Sequence, residues 1–161
     1  MAGARIRAAL GSVLFLVIAP GTVAGLLPWL ITGWESSDPW VGFQLLGAGL
    51  IVAGVGVLLH AFARFALEGI GTPAPLAPTE QLVIGGLYRY VRNPMYLAVG
   101  ATIVGQALLL GQAILLAYAL VFMAAVAALV KLYEEPTLSE RFGSQYDEYR
   151  HAVPGWWPRV R

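Results

Sequence analysis

The segment that opens the longest apolar part of the chain is Gly86-Leu87-Tyr88-Arg89-Tyr90-Val91-Arg92-Asn93-Pro94-Met95-Tyr96. It is aromatic and basic, and Pro94 interrupts it just before the apolar residues begin. Those residues, 95–132, carry almost no charge, and a second polar block begins at the acidic pair Glu134-Glu135. If the apolar residues form two antiparallel helices, both polar blocks lie at the same end of the hairpin. We therefore predict that the two blocks build one site.

The composition places the chain in a membrane. Hydrophobic residues make up 58% of the sequence and charged residues 12%, with a mean hydropathy of +0.72, which is far too apolar for an ordinary soluble domain. A length of 161 residues favours one domain, residues 1–161. The absence of cysteine excludes disulfides and thiolate sites, and a net charge of +1 gives no reason to expect nucleic acid. We expect an integral membrane protein.

Two apolar runs precede the polar segment, residues 8–31 and 41–63, and each is long enough to cross roughly 30 Å of hydrocarbon. Pro20 and Pro28 predict a kink in the first. A signal peptide is the alternative interpretation of the first run, which is long for one. The second run contains several glycines, which favour close packing of helices in lipid. They are Gly47, Gly49, Gly54 and Gly56.

The carboxyl-terminal half predicts a helical hairpin and a polar tail. Residues 95–132 form the hairpin, with its turn at Gly111-Gln112, and residues 134–161 form a cytoplasmic tail with an interfacial helix that Phe142-Gly143 interrupts. Residues 68–94 form a cytoplasmic loop rich in glycine and proline. The predicted fold class is therefore an all-α integral membrane protein with about four transmembrane helices.

The positive charges predict the orientation. All ten lysines and arginines lie in the amino-terminal head, between Arg64 and Arg92, or from Lys131 onward. The loop around Trp34 and the turn at Gly111 carry none. Positive charges concentrate on the cytoplasmic side, so both termini and both polar blocks are predicted to be cytoplasmic, in the inner or plasma membrane.

The polar blocks offer binding chemistry. Arg92 presents a planar fork of donors that suits a carboxylate or phosphate, and tyrosine faces suit an adenine or a cation. Glu134 and Glu135 suit ribose hydroxyls or pairing with Arg92, and we expect Arg92 to meet Glu134 in the site. The alternative interpretation is that the tyrosines and arginines mark the membrane surface and the acidic pair ends a helix. His60 and Arg64 are further ionisable candidates near the same surface.

The two blocks together resemble a known family. The run Leu82-Val83-x-x-Gly86-x-Tyr88-x-x-x-Arg92-Asn93-Pro94-x-Tyr96 is similar to the first signature of the isoprenylcysteine carboxyl methyltransferases and their phospholipid methyltransferase relatives. The run Glu134-Glu135-x-x-Leu138-x-x-x-Phe142-Gly143-x-x-Tyr146-x-x-Tyr149 resembles the second signature. The resemblance implies a membrane methyltransferase that uses S-adenosyl-L-methionine and takes an amphiphilic or lipid-like acceptor from the bilayer.

The resemblance also implies which residues bind the cofactor. Its cofactor contacts fall on Glu80, Gln81, Leu82, Val83, Tyr88, Asn93, Pro94, Met95, Tyr96 and Glu134. We assign catalytic roles to Arg92 and Glu135, with Glu135 or His60 as the base for an amine acceptor, and predict no metal site. Two positions depart from the prenylcysteine enzymes: Asn93 replaces their usual histidine, and Val130 stands about where they carry an arginine. Both departures concern the substrate and leave the cofactor assignment intact.

Two functions from other classes remain as alternatives. One is a reductase that uses NADPH, as in the sterol reductases of similar carboxyl-terminal architecture, although only Arg89 and Arg92 are available for the 2′-phosphate. The other is a non-catalytic membrane protein whose polar blocks bind lipid headgroups.

Overall fold

We obtained a computed structural model, which describes residues 2–68 and 82–159. Within these ranges the chain is helical and contains no strand, which confirms the predicted all-α class. The helices are α1 (Ala2–Gly21), α2 (Leu27–Thr32), α3 (Val41–Glu68), α4 (Pro94–Leu110), α5 (Ile114–Leu129), α6 (Glu135–Phe142) and α7 (Ser144–Ala152), with π-helical turns at Thr22–Leu26 and Val130–Glu134 and a 3-10 turn at Gly86–Arg89. Residues 69–81 of the predicted loop, which include Glu80 and Gln81, lie outside the described residues.

In the described part of the chain, three helical stretches are long and apolar enough to cross a membrane, namely Val13–Thr32, Val41–Arg64 and Ile114–Phe142. The first two coincide with the predicted runs, and together with the composition they make this an integral membrane protein. Helix α4 is also apolar but has 17 residues, which is short for a full span of about 20. A fourth transmembrane helix therefore stays a prediction.

Helix α4 packs closely against α3. A Cβ atom on Gly47 would lie 2.5 Å from the carbonyl oxygen of Gly105, and one on Gly54 would lie 2.7 Å from the carbonyl oxygen of Ala98. The backbones of α3 and α4 therefore touch. The sequence predicts close packing at all four glycines, and the structure shows it at these two. The other two, Gly49 and Gly56, have no neighbour within 4 Å at that position.

A π-helical turn separates α1 from α2, close to the predicted kink. A proline has no N–H to donate to the carbonyl four residues earlier, and for Pro28 that carbonyl belongs to Ala24 in the π-helical turn. The side chain of Gln106 donates to this carbonyl at 2.6 Å, and the Tyr118 hydroxyl donates to the carbonyl of Val23 at 2.7 Å. Side chains from α4 and α5 thus hold the irregular turn in place.

The end of the hairpin differs from the prediction. We expected it to end at Leu132, with a separate interfacial helix after Pro136, but one helical stretch runs from Ile114 to Phe142. Pro136 lies in the first turn of α6, and the carbonyl four residues earlier lies in the second π-helical turn. The wider backbone of that turn accommodates the proline ring that would clash in a regular α-helix.

Two glycines end helices as the sequence predicts. Gly111 has φ +68° and caps the carboxyl end of α4, at the position where the sequence predicts the turn. Gly143 has φ +52° and separates α6 from α7. Both positions lie in the positive-φ region that glycine adopts without steric cost.

Candidate functional site

The first polar block begins against the end of α3. Gly86 has φ +58°, and a Cβ atom there would lie 2.9 Å from His60 Nε2 and 3.0 Å from Arg64 Nε. A side chain at position 86 would therefore displace both α3 side chains. The two ionisable residues of α3 thus support the start of the segment that leads into α4.

The polar segment then pairs with the carboxyl-terminal tail. The backbone N–H of Arg92 donates to the carbonyl of Pro154 at 2.9 Å, and that of Asn93 donates to the carbonyl of Gly155 at 3.2 Å. The Asn93 side-chain amide donates to the same Gly155 oxygen at 3.1 Å. These bonds fix the tail across the start of α4 and bring residues of both polar blocks together.

The side chain of Arg92 joins three segments. Its Nη1 donates to Glu135 Oε1 at 2.6 Å and to the Tyr146 hydroxyl at 3.1 Å, and its Nε donates to the carbonyl of Val153 at 3.0 Å. The side chains of Arg92 and Glu135 are only 14% and 15% exposed, so solvent weakens this ion pair less than a surface pair. Arg150 adds a second cation at 3.3 Å from Glu135 Oε2. The two predicted catalytic residues are therefore in direct contact.

Of the two acidic residues predicted to suit pairing with Arg92, Glu135 makes the ion pair, and the meeting of Arg92 with Glu134 at a cofactor pocket stays a prediction. Arg92 contacts the neighbouring residue Glu135, whereas Glu134 accepts a hydrogen bond from the Tyr96 hydroxyl. Adjacent residues on a helix point about 100° apart, so the two carboxylates cannot serve the same partner. The π-helical turn that ends at Glu134 sets which carboxylate faces which partner.

Aromatic side chains surround these contacts. The rings of Tyr96 and Trp156 lie 6.5 Å apart between centroids, and those of Tyr146 and Tyr149 lie 6.4 Å apart. The Tyr149 hydroxyl donates to the carbonyl of Tyr88 at 2.7 Å. Trp156 was not among the predicted site residues, since a tryptophan in a polar tail is also typical of a membrane surface.

Burial holds three tyrosines of the polar blocks, Tyr88, Tyr146 and Tyr149, in their neutral form. Burial raises the pKa of Tyr88, and burial also raises the pKa of Tyr149 despite the nearby charge of Arg92. Burial raises the pKa of Tyr146 as well, with Arg92 again acting in the opposite direction. The three hydroxyls therefore act as hydrogen-bonding groups and not as phenolates at neutral pH.

The remaining predicted contacts lie around the same segment. Val83 is buried beside Ala61 and Tyr88, and Met95 packs against this cluster. Pro94 is buried at the first turn of α4, and Leu82 is half-buried. Their roles toward a cofactor stay predictions.

The comparisons with known proteins bear on the same residues. The family model described as phospholipid methyltransferase matches residues 43–145, which include most of α3, all of α4, α5 and α6, and the acidic pair Glu134-Glu135. The chain belongs to the phospholipid methyltransferase family. This family also covers the membrane methyltransferases that resemble the isoprenylcysteine enzymes, so the resemblance drawn from the two signatures is confirmed. Comparison with curated proteins and with solved structures gave no match.

The phospholipid methyltransferase match ends at residue 145, before most of α7 and the tail. The tail nevertheless supplies Val153, Pro154 and Gly155 to the contacts of Arg92 and Asn93. The contacts that join the two polar blocks therefore depend in part on residues beyond the matched range.

Proposed function

We propose that this protein transfers a methyl group from S-adenosyl-L-methionine to a lipid-like acceptor at the cytoplasmic face of the membrane. Membership of the phospholipid methyltransferase family supports methyl transfer. The observation that carries the proposal is the junction of the two polar blocks, through Arg92 with Glu135 and Tyr96 with Glu134.

The residues at this junction suit the cofactor. Glu134 is half-buried and accepts from Tyr96 through Oε1, while Oε2 has no hydrogen-bond partner among the described residues. A carboxylate oxygen in that position can accept from ribose hydroxyls or face a positive charge. The neighbouring rings of Tyr96 and Trp156 offer faces that attract a cationic sulfonium or stack with an adenine. S-adenosyl-L-methionine, when bound, supplies a methyl group on an electrophilic sulfonium.

Arg92 and Glu135 act on the site by positioning it. Three of the hydrogen bonds of the Arg92 guanidinium go to Glu135, Tyr146 and Val153, so its fork already holds protein groups. Glu135 is engaged by Arg92 and by Arg150. Both oxygens of the Glu135 carboxylate therefore already hold cations of the protein itself. We therefore assign both residues to holding the blocks together.

The acceptor determines whether a base is needed. A carboxylate acceptor is already ionised at neutral pH and needs only alignment and the exclusion of water. An amine acceptor must lose a proton first, and His60, exposed beside Gly86, is then the better candidate for the base than Glu135.

The apolar tail of a lipid-like acceptor gains roughly 0.8 kcal/mol per CH₂ on leaving water but almost nothing on leaving lipid. Recognition should therefore depend on the polar head of the acceptor.

We propose that one domain, residues 1–161, carries this activity. The proposed topology has four membrane helices: the three long apolar stretches and the shorter helix α4, which precedes the last of them in the chain. It places both termini in the cytoplasm. The distribution of lysine and arginine supports it. The cofactor site and the tail helices α6 and α7 would then lie at the cytoplasmic surface.

Equilibrium binding to the purified full chain tests the function. S-adenosylhomocysteine should bind with a dissociation constant in the micromolar range, and NADPH should not compete with it. NADPH binding in place of S-adenosylhomocysteine would favour the reductase. Binding of neither compound, by a protein shown to be folded, would favour a non-catalytic lipid-binding protein.

A further inference from the structure

A cleft lies beside the proposed methyl-transfer site. It has a volume of about 320 Å³ and is lined by Arg89, Tyr90, Ala152, Val153 and Arg159. Both arginines are exposed, and neither forms an ion pair with another residue in the described part of the chain. Two guanidinium groups on the walls of one concave surface attract an anion, and their planar forks match the oxygens of a phosphate.

The backbone fixes the walls of this cleft. The N–H of Arg159 donates to the carbonyl of Tyr90 at 3.0 Å, and Val153 is only 7% exposed. The neighbouring bond from the N–H of Arg92 to the carbonyl of Pro154 continues the same pairing. The two cations are thus attached to paired segments, which lowers the entropy lost when both hold one ligand.

The aromatic residues around the cleft favour a membrane lipid as the source of the phosphate. Tyr90, which lines the cleft, is 38% exposed, and Trp157, two residues before Arg159 in the chain, is 82% exposed. Tyrosine and tryptophan concentrate at the level of the lipid headgroups. In the proposed topology the cleft lies at this level, where it meets headgroup phosphates at a far higher local concentration than soluble anions.

The cleft is separate from the proposed cofactor site. Arg92 is directed at Glu135 and Tyr146 and does not line the cleft. Val153 connects the cleft with the proposed cofactor site, because this residue lines the cleft and its carbonyl accepts a hydrogen bond from Arg92. We propose that the cleft between Arg89 and Arg159 binds the headgroup phosphate of an anionic membrane phospholipid. This binding goes beyond methyl transfer and does not depend on the cofactor.

Lipid binding to the purified full chain in a neutral detergent tests the proposal. The probe is a fluorescent short-chain phosphatidylglycerol, with phosphatidylcholine of the same chain length and inorganic phosphate as competitors. Phosphatidylglycerol should bind most tightly, because the choline cation opposes the arginines and inorganic phosphate lacks the lipid surface. Arg89→Gln and Arg159→Gln should each weaken binding about fivefold, as expected for one basic residue at an anionic surface.

Arg141→Gln is the matched control. Arg141 is an exposed arginine of α6 that lies over the Phe142 ring and does not line the cleft. It should leave the affinity unchanged, whereas an equal loss in this variant would show general charge attraction and overturn the proposal. Unchanged affinity in both cleft variants, or equally tight binding of inorganic phosphate, would also overturn it. For the wild-type chain, added salt should weaken binding, and affinity independent of salt would contradict a site made of two cations.

Discussion

At the scale of single residues, Arg92 explains how a loop, two helices and a tail become one site. Its guanidinium contacts Glu135 at the start of α6, Tyr146 on α7 and the carbonyl of Val153 in the tail. Neutral hydrogen bonds contribute about 1 kcal/mol each, and bonds to a charged group contribute more. The planar shape of the Arg92 side chain, and not its charge alone, is therefore needed to hold these three segments together.

Arg92→Lys should expose that requirement. Lysine can keep the ion pair with Glu135 but cannot also donate to Val153 and Tyr146 from a planar fork, so we expect the free energy of unfolding to fall by about 1–2 kcal/mol. Unfolding in mixed micelles measures it. Arg150→Lys is the matched control, since Arg150 is 49% exposed with one contact to Glu135, and should cost less than about 0.5 kcal/mol. Equal stability of Arg92→Lys and the wild type would contradict the positioning role.

Tyr149 predicts a dependence of stability on alkaline pH. Because burial raises its pKa in the folded protein, its contribution is fully present below the unfolded pKa of about 10 and is lost as pH rises toward the folded value. Tyr149→Phe should lower stability at pH 7 by about 1 kcal/mol, through loss of the bond to the Tyr88 carbonyl, and should make the decline from pH 9 to 11 shallower. Thermal unfolding across this pH range measures both effects. Tyr133→Phe, at a position that is 52% exposed, should change neither, and an unchanged alkaline decline in Tyr149→Phe would count against the account.

At the scale of elements, two π-helical turns shape the molecule. Each is followed two residues later by a proline, Pro28 after Thr22–Leu26 and Pro136 after Val130–Glu134. The first leaves a backbone carbonyl that Gln106 satisfies, and the second lies where the two carboxylates diverge toward Arg92 and Tyr96. A proline in a membrane helix is thus accommodated by local rewinding and by side chains of neighbouring helices.

The contact between α3 and α4 gives a prediction at the same scale. Gly54→Ala should destabilise the protein by about 1–3 kcal/mol, because the added methyl would meet the carbonyl of Ala98 and the hydroxyl of Thr102. Gly56→Ala is its control in the same helix, with nothing within 4 Å of the new atom, and should be neutral or stabilising by up to about 1 kcal/mol. Unfolding in mixed micelles compares the two. Equal effects would show that the backbones of α3 and α4 do not meet as described.

At the scale of the whole molecule, the proposed topology places the site and the loop around Trp34 on opposite sides of the membrane. The chain has no cysteine, so one introduced cysteine reports its own position. Ser36→Cys should react with an impermeant maleimide in intact cells, since Ser36 is exposed in that loop. Ser144→Cys, exposed at the start of α7, should react only after the cells are opened. The reverse pattern, or labelling of both in intact cells, would contradict the four-helix topology.

The sequence predicts those parts of the fold that depend on apolar length and on glycine. The first two spans follow from hydropathy, the hairpin turn from Gly111 and the break between the tail helices from Gly143. It does not predict which of two adjacent glutamates meets Arg92, because a single π-helical turn changes the direction in which each points. It also does not single out Gln106, a buried amide bonded to Ala24 and to Trp34 Nε1, because its partners are remote in the chain. The contact between the rings of Trp156 and Tyr96 depends on how the tail folds back.

The central claim is that the two polar blocks form one cofactor site, and calorimetric binding of S-adenosylhomocysteine to Glu134→Gln tests it most directly. Glu134 lies on the second block and is bonded to Tyr96 on the first, while Glu140 is an exposed glutamate of α6. We expect Glu134→Gln to weaken binding at least tenfold, about 1.4 kcal/mol, while Glu140→Gln binds like the wild type. Unchanged affinity in Glu134→Gln, with wild-type binding intact, would contradict the claim.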